Sequence, residues 1–380
     1  MTEVQASSVA ALDVEAPGAR PTDILTVRQL MLRKFLRNRL AVFGTIVLII
    51  MYLLAAFAPF VAPYDVRETH EQFPRTAPST LHFTDEHGRF QFPPFVYATA
   101  KVMDPKTFTM TVKEDTSAPY PVRFLAHGTP YTLFGFIKGD IHLFGVDAPA
   151  KIFLMGTDGT GRDLFSRILF GSQVSLTVGL FGVVLALVIG TGVGIISGYY
   201  GGWFDEITQR IIEMTLAFPQ IPLWLALATL VPPTLNSVTV YFAISIVLSI
   251  LSWGALARQV RAMVLALKTS EFVRASGYAN ASAGWIMTRH LLPNTMSHVL
   301  VIATLTIPSM ILGETALSFL GLGIKTPMTS WGVLLNEAQN VQALMQLPWL
   351  LWPAAFVILT IISFNFVGDG LRDAADPFSR

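Results

Sequence analysis

Six stretches of the chain, residues 40–61, 175–199, 214–235, 238–257, 296–320 and 348–367, are apolar with at most one charged position each. Each has the roughly 20 residues that a helix needs to cross a bilayer core of about 30 Å. This pattern predicts an all-α polytopic membrane protein with six transmembrane helices. Between the first two stretches the texture changes. Residues 108–114 alternate as a half-buried strand does, and residues 131–146 read as two short strands around Lys138-Gly139-Asp140. A small β-rich insertion is therefore expected over 64–154, between helices 1 and 2. Leu164, Phe165, Ile168 and Leu169 then share one helical face, with Asp163 and Arg167 four residues apart, which predicts an interfacial helix over 155–172 with those two paired. Residues 1–28, rich in Ala, Ser and Pro without periodicity, read as a disordered tail. Residues 29–63 read as an anchor with the first span, 173–372 as a five-helix core, and 373–380 as a second tail.

Composition agrees: 52% of the 380 residues are hydrophobic and 13% charged, against about 25% charged in soluble domains. Arg33, Lys34, Arg37 and Arg39 precede the first span, which sets its start in the cytoplasm, and six crossings return the C-terminus there. Ala56-Phe57-Ala58 resembles a signal-peptide cleavage site, but the apolar run is longer than such peptides carry, so an uncleaved anchor is expected. The stretch 258–289, with Arg258, Arg261, Lys268, Arg274 and Arg289, is then cytoplasmic, and 321–347, with Lys325 alone, is external. A net charge of +1 without a basic cluster argues against nucleic acid. The absence of cysteine excludes disulfides, Cys-ligated zinc and thiol catalysis.

Gly156 and Gly161 have four residues between them, as in a phosphate-binding loop. The Lys and Ser/Thr that must follow are replaced by Arg162 and Asp163, and Asp163 would repel phosphate. A turn followed by a surface helix is the better reading. Five of seven histidines, His70, His82, His87, His127 and His142, fall in the insertion without metal-ligand spacing, so no metal is expected. Gly190, Gly194 and Gly198 make a stripe for close helix packing. Pro219 and Pro222 are expected to kink the third span. Glu213 and Glu314 are ionisable groups in apolar surroundings, candidates for a pathway or gate together with Pro219. Glu213 also has Arg210 one turn earlier as a partner.

The longest cytoplasmic stretch implies two short helices: one capped by Ser270 and ended by a left-handed Asn280, the other capped by Ser282 and ended by Pro293. Such a helix pair offers a knob to a partner protein. This segment, 263–294, resembles the coupling loop of binding-protein-dependent ABC importer permeases, whose pattern runs Glu-Ala-Ala, a Gly, an Ile and Leu-Pro. The matching positions are Arg274, Ala275, Ser276, Asn280, Ile286, Leu292 and Pro293, with Glu271 at the start of the first helix; Arg274, Ser276 and Asn280 depart from the pattern. "RNRLAVFG", "FAPFVAPYD", "GTDGTGRDLFSRILFGSQVSL", "GYYGGWFDEITQRIIEMTLAFP", "RHLLPN", "ETALSFLGLGI", "SWGVLLNEAQ" and "FNFVGDGLRDAADP" are similar to the C-type subunit of dipeptide and oligopeptide permeases, over residues 29–65 and 151–380.

The resemblance implies the type I ABC importer permease fold, in a bacterial cytoplasmic membrane. It implies a second homologous permease subunit, two ATP-binding subunits docked on the coupling loops, and an extracytoplasmic solute-binding protein delivering peptide. Other members carry nickel, oligosaccharides or peptide-like antibiotics. ATP hydrolysis would belong to the partner subunits, so the chain is expected to be no enzyme and to need no cofactor. A secondary transporter would instead need ion sites near the membrane midplane, and a receptor would not need the cytoplasmic helix pair.

Overall fold

The computed structural model describes residues 27–84, 89–103, 110–232, 234–339, 345 and 347–375. The outermost parts of both expected tails, and His87, lie outside them. The chain opens with α1 (Val27–Arg37) and α2 (Arg39–Ala56). Asn38 starts α2, its Oδ1 accepting from the backbone N–H groups of Leu40 and Ala41 at 3.1 and 3.2 Å. Ala41, Gly44, Leu48, Met51 and Ala55 form the buried face of α2. A Cβ on Gly44 would lie 2.6 Å from the Ser363 carbonyl, so the glycine lets α2 lie flat on the last helix. The expected first span breaks at Phe57, because Pro59 has no N–H to continue the ladder, and resumes as α3 (Ala58–Val61).

Five strands follow: β1 (His82–Thr84), β2 (Phe90–Met103) and β3 (Met110–Pro121) form one antiparallel sheet, and β4 (Arg123–Leu133) with β5 (Ile137–Gly145) forms a separate hairpin. The hairpin turns at 134–136 rather than at 138–140. Phe134 (φ +53°) and Gly135 (φ +81°) supply the left-handed backbone there, while Lys138 and Gly139 pair in register with Thr132 and Tyr131.

The helical bundle comprises α4 (Leu164–Tyr200), α5 (Gly202–Ala217), α6 (Gln220–Ala228), α7 (Ser237–Leu267), α8 (Glu271–Tyr278), α9 (Ala283–Ile286), α10 (Leu292–Phe319), α11 (Trp331–Glu337) and α12 (Trp352–Ala375). Among the described residues five helical runs are long and apolar enough to cross a membrane, or six if α5 and α6 count as one span bent by 92°. That bend falls at Phe218-Pro219 and is sharper than the expected kink. Pro222 sits inside α6 without breaking it.

Two expectations are corrected by continuous helices. The expected interfacial helix over 155–172 is not a separate element: 155–163 form a loop and 164–172 are the first turns of α4, where Leu164, Ile168 and Leu169 are buried in protein. Pro293 does not end the second short helix either. A single π-turn, Met287–Leu291, joins α9 to α10, with the Leu292 N–H bonded to Met287 O. The wider turn accommodates a proline that has no N–H and whose ring would strike the carbonyl four residues back.

The glycine stripe of α4 packs on α7. A Cβ on Gly190 or Gly194 would lie 2.8 Å from Trp253 O or 2.6 Å from Ala257 O, and one on Gly198 would lie 2.9 Å from the Val264 side chain. The stripe is filled by this chain's own helix, which leaves no room for a permeant beside it.

Candidate coupling segment and pathway residues

α8 ends in a Schellman arrangement: Asn280 N–H bonds to Gly277 O at 3.0 Å and Ala281 N–H to Ser276 O at 3.1 Å, with Asn280 at φ +60°. The chain reverses there, and Ser282 starts α9 by accepting from Trp285 N–H at 3.3 Å. Ser270 occupies the cap position of α8 without a capping bond; its hydroxyl donates back to Leu267 O at 2.6 Å. Glu271 lies exposed in the first turn of α8, where a carboxylate complements the helix dipole. Arg274 is exposed and reaches Tyr278 Oη at 3.3 Å, and Ala275 is exposed beside it.

Ile286 turns inward, joining Val273, Leu291, Val260 and Val264 in one small core that roots the helix pair on α7 and α10. Ser276 Oγ lies 2.8 Å from His290 Nε2, and the His290 ring sits 4.9 Å from that of Trp285. His290 thus ties α8, α9 and the π-turn together. Sequence reasoning missed it, since partners 14 residues apart leave no periodic signal. It also missed the exposed aromatics of the pair, Phe272, Tyr278 and Trp285, which are 42%, 80% and 48% exposed. The placement of Trp285 relative to the two aromatics of α8 depends on the reversal at Asn280. Pro293 lies in the first turn of α10.

At the opposite end of α10, Glu314 is fully buried. Ser175 and Ser318 donate to its two oxygens at 3.0 and 2.7 Å. The same hydroxyls accept from Trp331 N–H and Ile324 N–H, both at 3.1 Å. One carboxylate therefore clamps α4, α10 and α11. Trp224 of α6 lies against Gly313, the residue before it, where a Cβ would come within 2.9 Å of the indole. Glu213 takes no part in this clamp: its side chain is half exposed and pairs with Arg210 at 3.2 Å. Pro219 stands at the 92° bend between α5 and α6.

Residues 155–163 hold a second buried knot. Asp158 accepts from Thr160 N–H and Arg162 N–H at 2.8 and 3.0 Å, from Arg162 Nε at 2.7 Å and from Arg167 Nη1 at 2.5 Å. Arg167 continues to Glu337 of α11 at 2.8 Å, and Trp349 Nε1 donates to Thr157 O at 3.1 Å. Arg167 thus bonds to Asp158 and Glu337 rather than to Asp163, which caps α4 through Ser166 N–H at 2.7 Å. The carboxylate of Asp158 fills the loop that a phosphate would need. Burial alone would raise Asp158, but Arg167 and then Arg162 hold it below the usual carboxylate range. Asp163 has no cation; burial pushes it up to about 7 against the bonds from Ser166. Its Oδ1 has no partner.

Each described histidine of the strand region has a local partner. His82 meets Glu114 at 3.1 Å, His127 meets Asp140 at 3.0 Å, and His142 lies 2.9 Å from Thr129 O. His70 packs its ring on Tyr64 and Phe153. Among the described residues no three His, Asp or Glu side chains converge to hold a metal ion.

Residues 190–380 match the model of the binding-protein-dependent transport system inner membrane component family. Residues 26–78 match that of the N-terminal transmembrane domain of oligopeptide transport permease C. A putative peptide permease protein of Brucella suis is 41% identical over 240 residues, 63% of this chain and 78% of that protein. The oligopeptide transport system permease protein OppC of Bacillus subtilis is 41% identical over 233 residues, 61% of this chain and 74% of its own. The glutathione transport system permease protein GsiD of Pectobacterium atrosepticum is 38% identical over 232 residues, again 61% and 74%. With half of its length inside one family model, and its spanning helices and helix pair arranged as described, the chain belongs to the binding-protein-dependent transport system inner membrane components, the permease subunits of ABC transporters.

Proposed function

We propose that this chain forms half of the translocation pathway of an ATP-driven importer of peptides, the other half being a second, homologous permease subunit. The observation that carries this reading is the helix pair α8–α9, an exposed aromatic knob fixed by the left-handed Asn280 and rooted in α7 and α10. The 263–294 segment is the ATPase-coupling loop, and Glu271, Arg274, Ala275, Ser276, Asn280, Ile286 and Pro293 are its key positions. The knob docks on one of two ATP-binding subunits in the cytoplasm, where the tails 1–28 and 373–380 also lie. The insertion 64–154 lies outside, beside the solute-binding protein. The relatives' names support a peptide cargo, since glutathione is itself a short peptide.

Mechanically, the helical run Ala283–Phe319 is a continuous link about 55 Å long, at 1.5 Å per residue, with the π-turn 287–291 and Pro308 inside it. Movement of the knob on ATP binding is transmitted along it to the Glu314 clamp and α11, while the bend at Pro219 lets α6 swing on α10; both changes alternate access to the pathway. Glu213 sits one turn before that bend and, with Pro219 and Glu314, completes the proposed gate. Reconstituting the chain with its partner subunits and binding protein tests this: peptide is expected to stimulate ATP hydrolysis, and Arg274→Glu to weaken both stimulation and co-purification of the ATPase. Stimulation by nickel or oligosaccharide instead of peptide would overturn the cargo, and hydrolysis indifferent to all of them would overturn the importer reading.

A further inference from the structure

We propose that the tip of the β4–β5 hairpin is inserted in the outer leaflet of the membrane and anchors the strand region to lipid. The hairpin runs along the beginning of α4 toward the membrane. Near its base Phe144 meets Phe165, ring centroids 6.0 Å apart. At its tip Thr132, Leu133, Phe134 and Gly135 share a cleft of about 500 Å³ with Gln173 and Thr177 of α4 and with Tyr52 of α2. Residue 175 begins the second apolar stretch, and Tyr52 lies four residues inside the end of α2, about 6 Å at the helical rise. The tip therefore reaches past the ends of two spans instead of standing above them.

Its chemistry fits that depth. Phe134 and Phe136 are 54% and 76% exposed, and Ile137 beside them is exposed as well. Phe134 contacts Phe57, ring centroids 5.7 Å apart, one residue beyond α2. Phe57 ends the outward face of α2, on which Phe43, Ile46, Ile50 and Leu53 are all exposed. The aromatic tip is thus continuous with the apolar surface that a first span turns to lipid. Aromatic rings favour the headgroup boundary, and exposed Lys138, two residues behind Phe136, has the reach to place its ammonium among lipid phosphates. Lipid is favoured over the solute-binding protein because the surface continues down a spanning helix, where a soluble protein cannot follow.

The choice of leaflet rests on the external placement of the insertion; insertion itself does not. The chain lacks cysteine, so single spin labels can be placed at Phe136→Cys, Ile137→Cys, Leu53→Cys as the lipid reference and Phe124→Cys as the exposed reference at the hairpin base. In proteoliposomes of the assembled importer without binding protein, labels at Phe136 and Ile137 are expected to collide several-fold more with oxygen than with a water-soluble nickel chelate, as at Leu53, with the order reversed at Phe124. A Phe136 and Ile137 response matching that of Phe124 would place the tip in water and overturn the proposal. Shielding from both relaxers would overturn it in favour of a protein partner. Reaction of Phe124→Cys with an impermeant thiol reagent from the cytoplasmic side only would overturn the leaflet and the topology together, while leaving the depth result readable.

Discussion

A left-handed backbone at Asn280, φ +60°, aims α9 relative to α8. Asn tolerates that conformation because its side chain is short and polar, and glycine does so without a side chain at all. Asn280→Gly is therefore expected to leave substrate-stimulated ATPase activity nearly unchanged. Asn280→Val forces a β-branched residue into a region costing it about 1–3 kcal/mol, so stimulation and co-purification of the ATPase are both expected to fall. Full coupling in Asn280→Val would remove this residue from the hinge. Asp163 carries a second residue-scale prediction. Its folded value, about 7, lies above its ordinary 3.8, so the neutral form is the one the fold favours. Its contribution to stability is complete below about pH 4 and is lost as pH rises through 7. Asp163→Asn keeps a cap acceptor without that penalty, so its melting temperature is expected to exceed the native one at pH 8 and to lose the advantage at pH 4; an advantage independent of pH would contradict the account. The role of Asn280 was legible because an Asn followed two residues on by a capping Ser is a local signal. The Asp163–Arg167 pair was misread because spacing cannot reveal that Asp158 and Glu337, the latter 170 residues away from Arg167, take the guanidinium first.

Elements were legible where one period ran unbroken and misread where a neighbour changed its meaning. The stripe at Gly190, Gly194 and Gly198 announced close packing, and α7 fills it. Gly194→Ala would bring a methyl to 2.6 Å from the Ala257 carbonyl, a clash with backbone that cannot yield like a side chain. Overpacking of this kind costs about 1–3 kcal/mol, and a lowered melting temperature in detergent is the expected readout; unchanged stability would mean that α4 and α7 are not in this register. Conversely, Leu164 to Leu169 looked interfacial because one face is apolar, yet their burial against α11 and α3 makes them the start of α4. Pro293 looked like a stop because a π-turn has no sequence period of its own.

At the scale of the molecule, hydropathy gave the number of spans to within the bent α5–α6 pair, since lipid demands long apolar helices whatever their packing. What it could not give is the long-range polar clamps at Glu314 and Asp158, each built from segments more than 100 residues apart. The proposed orientation predicts that single cysteines at His127 and Ser282 react with an impermeant thiol reagent from opposite sides of the membrane, His127→Cys from outside; labelling of both from one side would contradict it. The central claim is that the α8–α9 knob is where this permease meets the ATPase, and a photo-crosslinking residue substituted for Tyr278, the most exposed aromatic of the pair, tests it most directly. Irradiation of the assembled importer is expected to join this chain to an ATP-binding subunit, with a yield that changes on nucleotide binding. A product with lipid or with the solute-binding protein, and none with the ATP-binding subunit, would contradict the account.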